Sequence, residues 1–232
     1  MEATQQYKAH YKRVYRCLDA ASQLHRDNRE LLLTDALQGR LAKRAEGIIR
    51  REIKKNGSQA GEVTHRFLSA VTHKGYIMLT DTVTDQAKRI YELSDCCGLA
   101  HGLLAPILGA ATAAGWDVVA CPDPMAPDRL AHLIIPGLSL AFVSTTQELA
   151  WPQRPYRRLR LDAMADRELY RANRPRLRFS RKVAAALESE AIAGLAQAKA
   201  AHDRLEALYN PHVDFERVYR MADELAAELF PG

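Results

Sequence analysis

The chain has 232 residues, 47% of them apolar and 26% charged, with a formal net charge of +5. That length and balance predict one globular domain of ordinary size carrying a smaller helical appendage. No apolar run reaches the roughly 18 residues that span a bilayer, and the polar start MEATQQYKAHYKRVYR lacks the apolar segment of a signal peptide, so neither a membrane helix nor a signal peptide is expected, and a cytoplasmic location is.

Four cysteines (Cys17, Cys96, Cys97 and Cys121) in such a chain predict free thiols rather than a disulfide framework. Charge is unevenly placed. Residues 154–182 hold eleven Lys and Arg against three acids, whereas residues 183–232 hold four against nine.

Residues 5–55 read as two helices. Tyr7, Tyr11, Val14, Leu18, Ala21 and Leu24 form one apolar stripe at spacings of three and four, and Leu37, Leu41, Ala45, Ile48 and Ile49 form another, ended by Asn56-Gly57-Ser58. RFLSAV (66–71) and YIMLTDTV (76–83), joined by Thr-His-Lys-Gly, predict a hairpin. IYEL (90–93) is a strand, followed by the Gly-spaced stretch SDCCGLAHG and an apolar helix that Gly115 caps. WDVVAC (116–121) reads as a strand, PDPMAPD as a proline-fixed loop, and LIIP and LSLAFVST as further strands. The proline-broken, arginine-rich stretch 151–182 predicts an irregular connection with one short helix, and Val183–Tyr209 and Asp214–Leu229 a helical hairpin.

Strand, loop, helix, strand, loop, strand over 89–145 is the pattern of a parallel α/β sheet, whose ligands lie at the carboxyl ends of the strands. The expected organisation is an N-terminal helical hairpin over 1–57, an α/β core over 58–182 and a C-terminal helical hairpin over 183–232 packed on that core. A weak internal repeat links the two hairpins. At an offset of 177 residues, Ala21 falls on Ala198, His25 on His202, Arg40 on Arg217, Ala45 on Ala222 and Ile48 on Leu225.

The runs HRFLSAVTHKGYIMLTDTVT, RIYEL, AGWDVVACPDP, LIIPGLSLAFVST and AKAAHDRLEALYNPHVDF together resemble a little-characterised bacterial P-loop ATPase family built from two tandem NTPase-like halves, over roughly residues 20–232. The resemblance implies a P-loop NTPase-like sheet with flanking helices, and that the chain corresponds to the closing hairpin of a first half plus one entire second half. It also places the phosphate loop at Asp95, Cys96, Cys97, Gly98, Leu99, Ala100, His101, Gly102 and Leu103. Such a loop needs glycines for close backbone approach, a Lys for the β and γ phosphates and a hydroxyl for Mg²⁺. Here Asp95, Ala100, His101 and Gly102 stand at those four anchors, and Ser144 stands where the family carries a metal-directing acid. Pro106 predicts a helix that starts near itself, with the loop before it remodelled.

The expected function is therefore a degenerate P-loop NTPase-like protein that does not hydrolyse nucleotide and acts as a binding or scaffolding partner of another protein or of itself. No catalytic residue, metal site or cofactor is assigned. One alternative is a diverged ATPase holding ATP and Mg²⁺ through donors around Gly98, Gly102 and His101. A second is a nucleic-acid-binding module in which Arg157, Arg158 and Arg160, interleaved with Tyr156, Tyr170 and Phe179, bind phosphates and stack on bases. The bland reading of that basic run is a solvated face paired with the acidic hairpin after it. Cys96, Cys97, Cys121 and His101 could meet at one sheet edge, but their spacing favours small buried residues over a metal site. His202, Asp203 and Glu206 are expected to anchor the hairpin to the sheet.

Overall fold

The computed structural model describes residues 2–230, and side-chain surroundings from Tyr7 onward. Its elements are α1 (Glu2–Leu32), α2 (Asp35–Glu52), β1 (Val63–His65), β2 (Ser69–Thr72), β3 (Gly75–Met78), α3 (Thr80–Gln86), β4 (Arg89–Ser94), α4 (Ala100–Ala113), β5 (Val118–Asp123), β6 (Ala126–Ile135), β7 (Leu140–Thr145), β8 (Arg157–Arg160), α5 (Arg167–Tyr209) and α6 (Phe215–Leu229), with short 3-10 turns between some of them. A six-stranded sheet runs β1-β5-β6-β7-β4-β8, and β2 and β3 form a separate hairpin. The pairs β1–β5, β4–β7 and β4–β8 are parallel, whereas β6 is antiparallel to both β5 and β7. The fold is thus mixed α/β around a mostly parallel sheet.

Period-two side-chain alternation explains why the central strands read as continuous apolar runs. On β7, Leu140 and Phe142 enter the core beneath α2 and α4, while Ala141 and Val143 face a second core with Leu68, Val83 and Trp151. On β4, Tyr91 and Leu93 take the first face and Ile90 the second. Both faces of the sheet are covered, so neither strand has a polar side to show.

The helices pair differently from the sequence expectation. α1 does not fold back on α2; it lies antiparallel along α5, with Arg13 2.8 Å from Glu190, His25 2.6 Å from Glu188, and the Tyr7 and His202 rings 5.8 Å apart. Gly194 makes the closest approach, since a Cβ there would stand 2.7 Å from Val14 Cγ2. α2 instead covers α4, with Leu41 Cδ1 3.1 Å from where a Gly102 Cβ would be. The second arm of the C-terminal hairpin, α6, buries none of its residues, so the expected packing of that arm on the core is not seen.

Several local expectations are corrected. α2 stops at Glu52, four residues before Asn56. The run YIMLTDTV is strand only to Met78, and Thr80 starts a helix. The three-proline stretch is a tight turn rather than a loop. β5 continues to Asp123 and β6 resumes at Ala126, with Pro122 accommodated at a register shift in the ladder. Residues 167–182 belong to α5, a helix of 43 residues and about 65 Å. Pro175 is tolerated inside it because Pro175 and Arg171, whose carbonyl loses its intrahelical donor, are both exposed and water can take the donor's place.

Candidate functional site: the cavity at the carboxyl edge of the sheet

The carboxyl ends of β4, β5 and β7 share one edge, and the loop from Asp95 to Leu99 crosses it. The resemblance would place a phosphate there, but the amides of Cys96, Cys97, Leu99 and Ala100 are already occupied. The Asp95 carboxylate accepts hydrogen bonds from the backbone N–H groups of Cys97 (3.2 Å), Leu99 (2.9 Å) and Ala100 (2.7 Å), and the Asp162 carboxylate accepts from Cys96 N (2.9 and 3.1 Å). The nest of amides that would cradle an anion is closed by two carboxylates of the chain itself.

Asp95 is 5% exposed. Burial, aided by the nearby Asp162 charge, raises its pKa to about 6, against the opposing pull of the three N–H bonds.

The helix behind the loop begins at Ala100, not near Pro106, which lies inside α4. Only the Gly102 carbonyl loses its partner to the proline ring, and Gly102 offers no Cβ to crowd that ring. The other anchors have structural employment. His101 Nδ1 accepts from Leu130 N at 3.1 Å, which makes the imidazole neutral, with its proton on Nε2. Burial and Arg129 hold its pKa below the usual value, so it is no substitute for a phosphate-binding lysine. Leu99 and Leu103 are core residues. Ser144 faces the cavity, but its hydroxyl donates to Ala131 O at 2.6 Å, and its N–H donates to His132 Nδ1 at 3.2 Å. His132 is buried, its pKa is lowered to about 4 by that burial, and its Nε2–H reaches Ser69 Oγ at 3.1 Å.

The thiols do not converge. Cys97 Sγ accepts from Arg181 Nη2 at 3.2 Å, and burial raises all three pKa values, to about 11 for Cys96 and about 12 for Cys121, so each remains a thiol at neutral pH.

Beside the loop lies a cavity of about 450 Å³, bounded by α1, α5, the hairpin turn after β5 and the loop itself. Its walls include Asn28, Arg29, Gly98, Asp123 and Arg129 at one end, and His25, Tyr76 and Glu188 at another. Of these, only Gly98, in the loop, and His25, in the internal repeat, carried a sequence signal. Asn28 continues a heptad with Val14 and Ala21, and a polar side chain in that stripe is the sign that could have exposed this wall.

On the other side of Cys96 a second, more open recess of about 620 Å³ is lined by Arg160, Arg167, Arg171, Arg174 and Arg181 with Asp162. Arg158 is occupied by Glu92 at 2.7 Å, and Arg157 lies over the Tyr156 ring at 5.4 Å. No ion pair among the described residues joins residues 154–182 to the acidic segment after them, because α5 carries the two apart. His202, Asp203 and Glu206 do cluster, with His202 Nδ1 3.4 Å from Glu206, but they meet α1 through Tyr7 instead of touching the sheet.

Among the described residues no helix is long and apolar enough to cross a membrane. No protein-family model, curated protein or solved structure matches the chain.

Proposed function

We propose that this is a cytoplasmic, degenerate P-loop NTPase-like protein that binds a partner and does not hydrolyse nucleotide. The observation that carries the reading is the closure of the loop amides by Asp95 and Asp162. A triphosphate would have to displace both carboxylates, with no lysine at position 101 and no acid at position 144 to repay the loss. The decisive measurement is phosphate release from MgATP and MgGTP. Release at the buffer rate is expected, and turnover that disappears in His101→Ala would overturn the reading and favour the diverged ATPase.

The scaffolding part of the proposal rests on α6. Phe215, Val218, Leu225 and Leu229 are all exposed on this strongly amphipathic helix, with Ala222 at helical spacing between them. We assign this face to a second copy of the chain. The first half of α6 carries Arg217 and Arg220 against one acid, Glu216, and the second half Asp223, Glu224 and Glu228 with no base, so two copies laid antiparallel about Ala222 set a net positive end against a negative one. Sedimentation should show a dimer that Leu225→Glu dissociates; a monomeric parent protein would remove this part of the reading.

A second reading is favoured by one observation. Arg167, Arg171, Arg174, Arg178 and Arg181 recur every three or four residues along α5, and four of them border the open recess. That stripe suits a nucleic-acid backbone. Single-stranded RNA or DNA binding that falls steeply with salt, and weakens on neutralising Arg171 and Arg174, would support it.

A further inference from the structure

We propose that the 450 Å³ cavity binds a small organic oxyanion, a carboxylate or a phosphate monoester, between Arg29 and Arg129. The site is distinct from the closed amide loop, and the proposal does not depend on the scaffolding reading.

Arg29 is the first observation. It is 8% exposed, yet no described carboxylate lies within ion-pair distance of its guanidinium and no described group accepts a hydrogen bond from it. Buried arginines are ordinarily paired, because removing a permanent charge from water without a counter-charge costs several kcal/mol. What exposure remains to Arg29 opens on the cavity it lines.

The second observation is a like charge beside it. Arg29 Nη1 lies 3.5 Å from where a Cβ on Gly98 would stand, and Arg129 Nη2 donates to Gly98 O at 3.2 Å, so both guanidinium groups converge on this residue. Burial and the Arg29 charge both press the Arg129 pKa downward. A buried cation and a half-buried one that repel each other define a place where an anion is stabilised twice, and guanidinium forks match a carboxylate or phosphate with two parallel bonds.

The nearest acids do not fill that role. Asp95 is committed to the loop amides, Asp128 beside Arg129 is exposed to water, and neither Asp128 nor Asp123, which accepts from Met125 N at 2.8 Å, makes an ion pair with either arginine. Asn28 also lines the cavity, and its Nδ2 is buried without a partner. Gly98, at φ +69°, lets the loop turn here with the Arg29 side chain packed against it.

The cavity is much larger than an inorganic anion and falls within the roughly 300–1,000 Å³ of small-molecule sites. Met125, Leu130 and Leu149 line it, so the ligand carries an apolar body behind its charged group.

The test uses the full chain and three probes: inorganic phosphate, phenyl phosphate and benzoate, each titrated by thermal shift and calorimetry against chloride at equal ionic strength. At least one aromatic probe is expected to raise the melting temperature and to bind more tightly than inorganic phosphate. The arm that wins, phenyl phosphate or benzoate, identifies the anionic group. Arg29→Gln is expected to weaken binding roughly tenfold or more, the loss of a charge-assisted fork, while the melting temperature without ligand stays level or rises because a repulsion is removed. Arg129→Gln serves as the second variant should the first fold poorly. The triple neutralisation of Arg157, Arg158 and Arg160 should leave binding unchanged. Failure of all three probes to exceed chloride, or undiminished binding in both arginine variants, would overturn the site. Neither outcome bears on phosphate release from MgATP, so this site and the absence of hydrolysis stand or fall separately.

Discussion

The closed loop makes a prediction about acidity with a definite sign. Asp95 has its pKa raised from 3.8 to about 6 in the folded protein, with burial as the main cause. A carboxyl group whose folded pKa exceeds its unfolded one holds its proton more tightly when folded, so its contribution to stability is greatest below pH 4 and is lost as pH rises through about 6. A shift of about two units corresponds to about 3 kcal/mol. The perturbation is Asp95→Asn, which keeps the shape and leaves Oδ1 to accept from Cys97 and Leu99, while Nδ2 cannot accept from Ala100. Urea unfolding followed by Trp116 and Trp151 fluorescence at pH 4, 5, 6 and 7 gives the unfolding free energy of both proteins. Their difference cancels groups that titrate identically in the two. Between pH 4 and 7 the parent should lose about 3 kcal/mol relative to the variant, whatever the constant offset from the lost Ala100 bond. Parallel curves, or a parent that gains stability relative to Asp95→Asn as pH rises, would mean that the three N–H bonds outweigh burial, and the closed-loop energetics would be wrong.

Three other substitutions probe the frame around that loop. Glu52 is 4% exposed and takes bonds from Tyr91 Oη (2.6 Å), Arg51 Nε (2.9 Å) and Arg89. Burial alone would raise its pKa, but these partners together lower it, so its slope is opposite to that of Asp95: the stabilisation is present above the unfolded pKa and lost as pH falls through the folded one. Glu52→Gln should cost about 1–2 kcal/mol at neutral pH, limited because both arginines can turn to water, and should flatten the acid limb of the stability curve. Gly98→Ala places a Cβ at positive φ and should cost roughly 1–2 kcal/mol by chemical denaturation, together with weaker benzoate or phenyl phosphate binding. Gly194→Leu forces Val14 away from α5 and should lower stability by about 1–3 kcal/mol, with the loss of helical signal starting at a lower temperature than in the parent.

The frame of the site was legible and its occupation was not. IYEL at 90–93 is strand because both faces of the sheet are buried at β4, and Ile90, Tyr91 and Leu93 are all buried, with the one charge, Glu92, paired to Arg158. Asp95 at the first loop anchor was visible, but that it would turn back onto three amides depends on loop geometry, and its companion Asp162 comes from 66 residues beyond Cys96, the amide it holds. The extent of β6 was hidden by Pro124 and Pro127, which are loop signals everywhere except at a tight turn and the start of an edge-like strand end. The arginine run was read as irregular because of Pro175. Its own period argued otherwise, since Arg167, Arg171, Arg174, Arg178 and Arg181 stripe one face of α5 while Leu177, Ser180 and Ala184 are buried on another.

The repeat at 177 residues gains weight from the helix ends, which sequence identity alone could not supply. α1 ends at Leu32 and α5 at Tyr209, α2 at Glu52 and α6 at Leu229, each pair 177 residues apart. Ala21 and its counterpart Ala198 are both fully buried in the α1–α5 pair. The second helices differ only in what lies against them. Leu41, Ala45 and Ile48 are buried on α2, whereas their counterparts Val218, Ala222 and Leu225 stand exposed on α6. A face built like α2 but left uncovered contributes almost nothing to the folded monomer, because only removal of apolar surface from water stabilises. Ending the chain after Val213 should therefore leave the melting temperature at low protein concentration within a degree or two of the parent's, a change well below about 1 kcal/mol, while abolishing the concentration-dependent rise in melting temperature that a dimer confers. A truncated chain that melts far lower even when dilute would show that α6 supports the core directly, and the correspondence of α6 with an uncovered α2 would be lost.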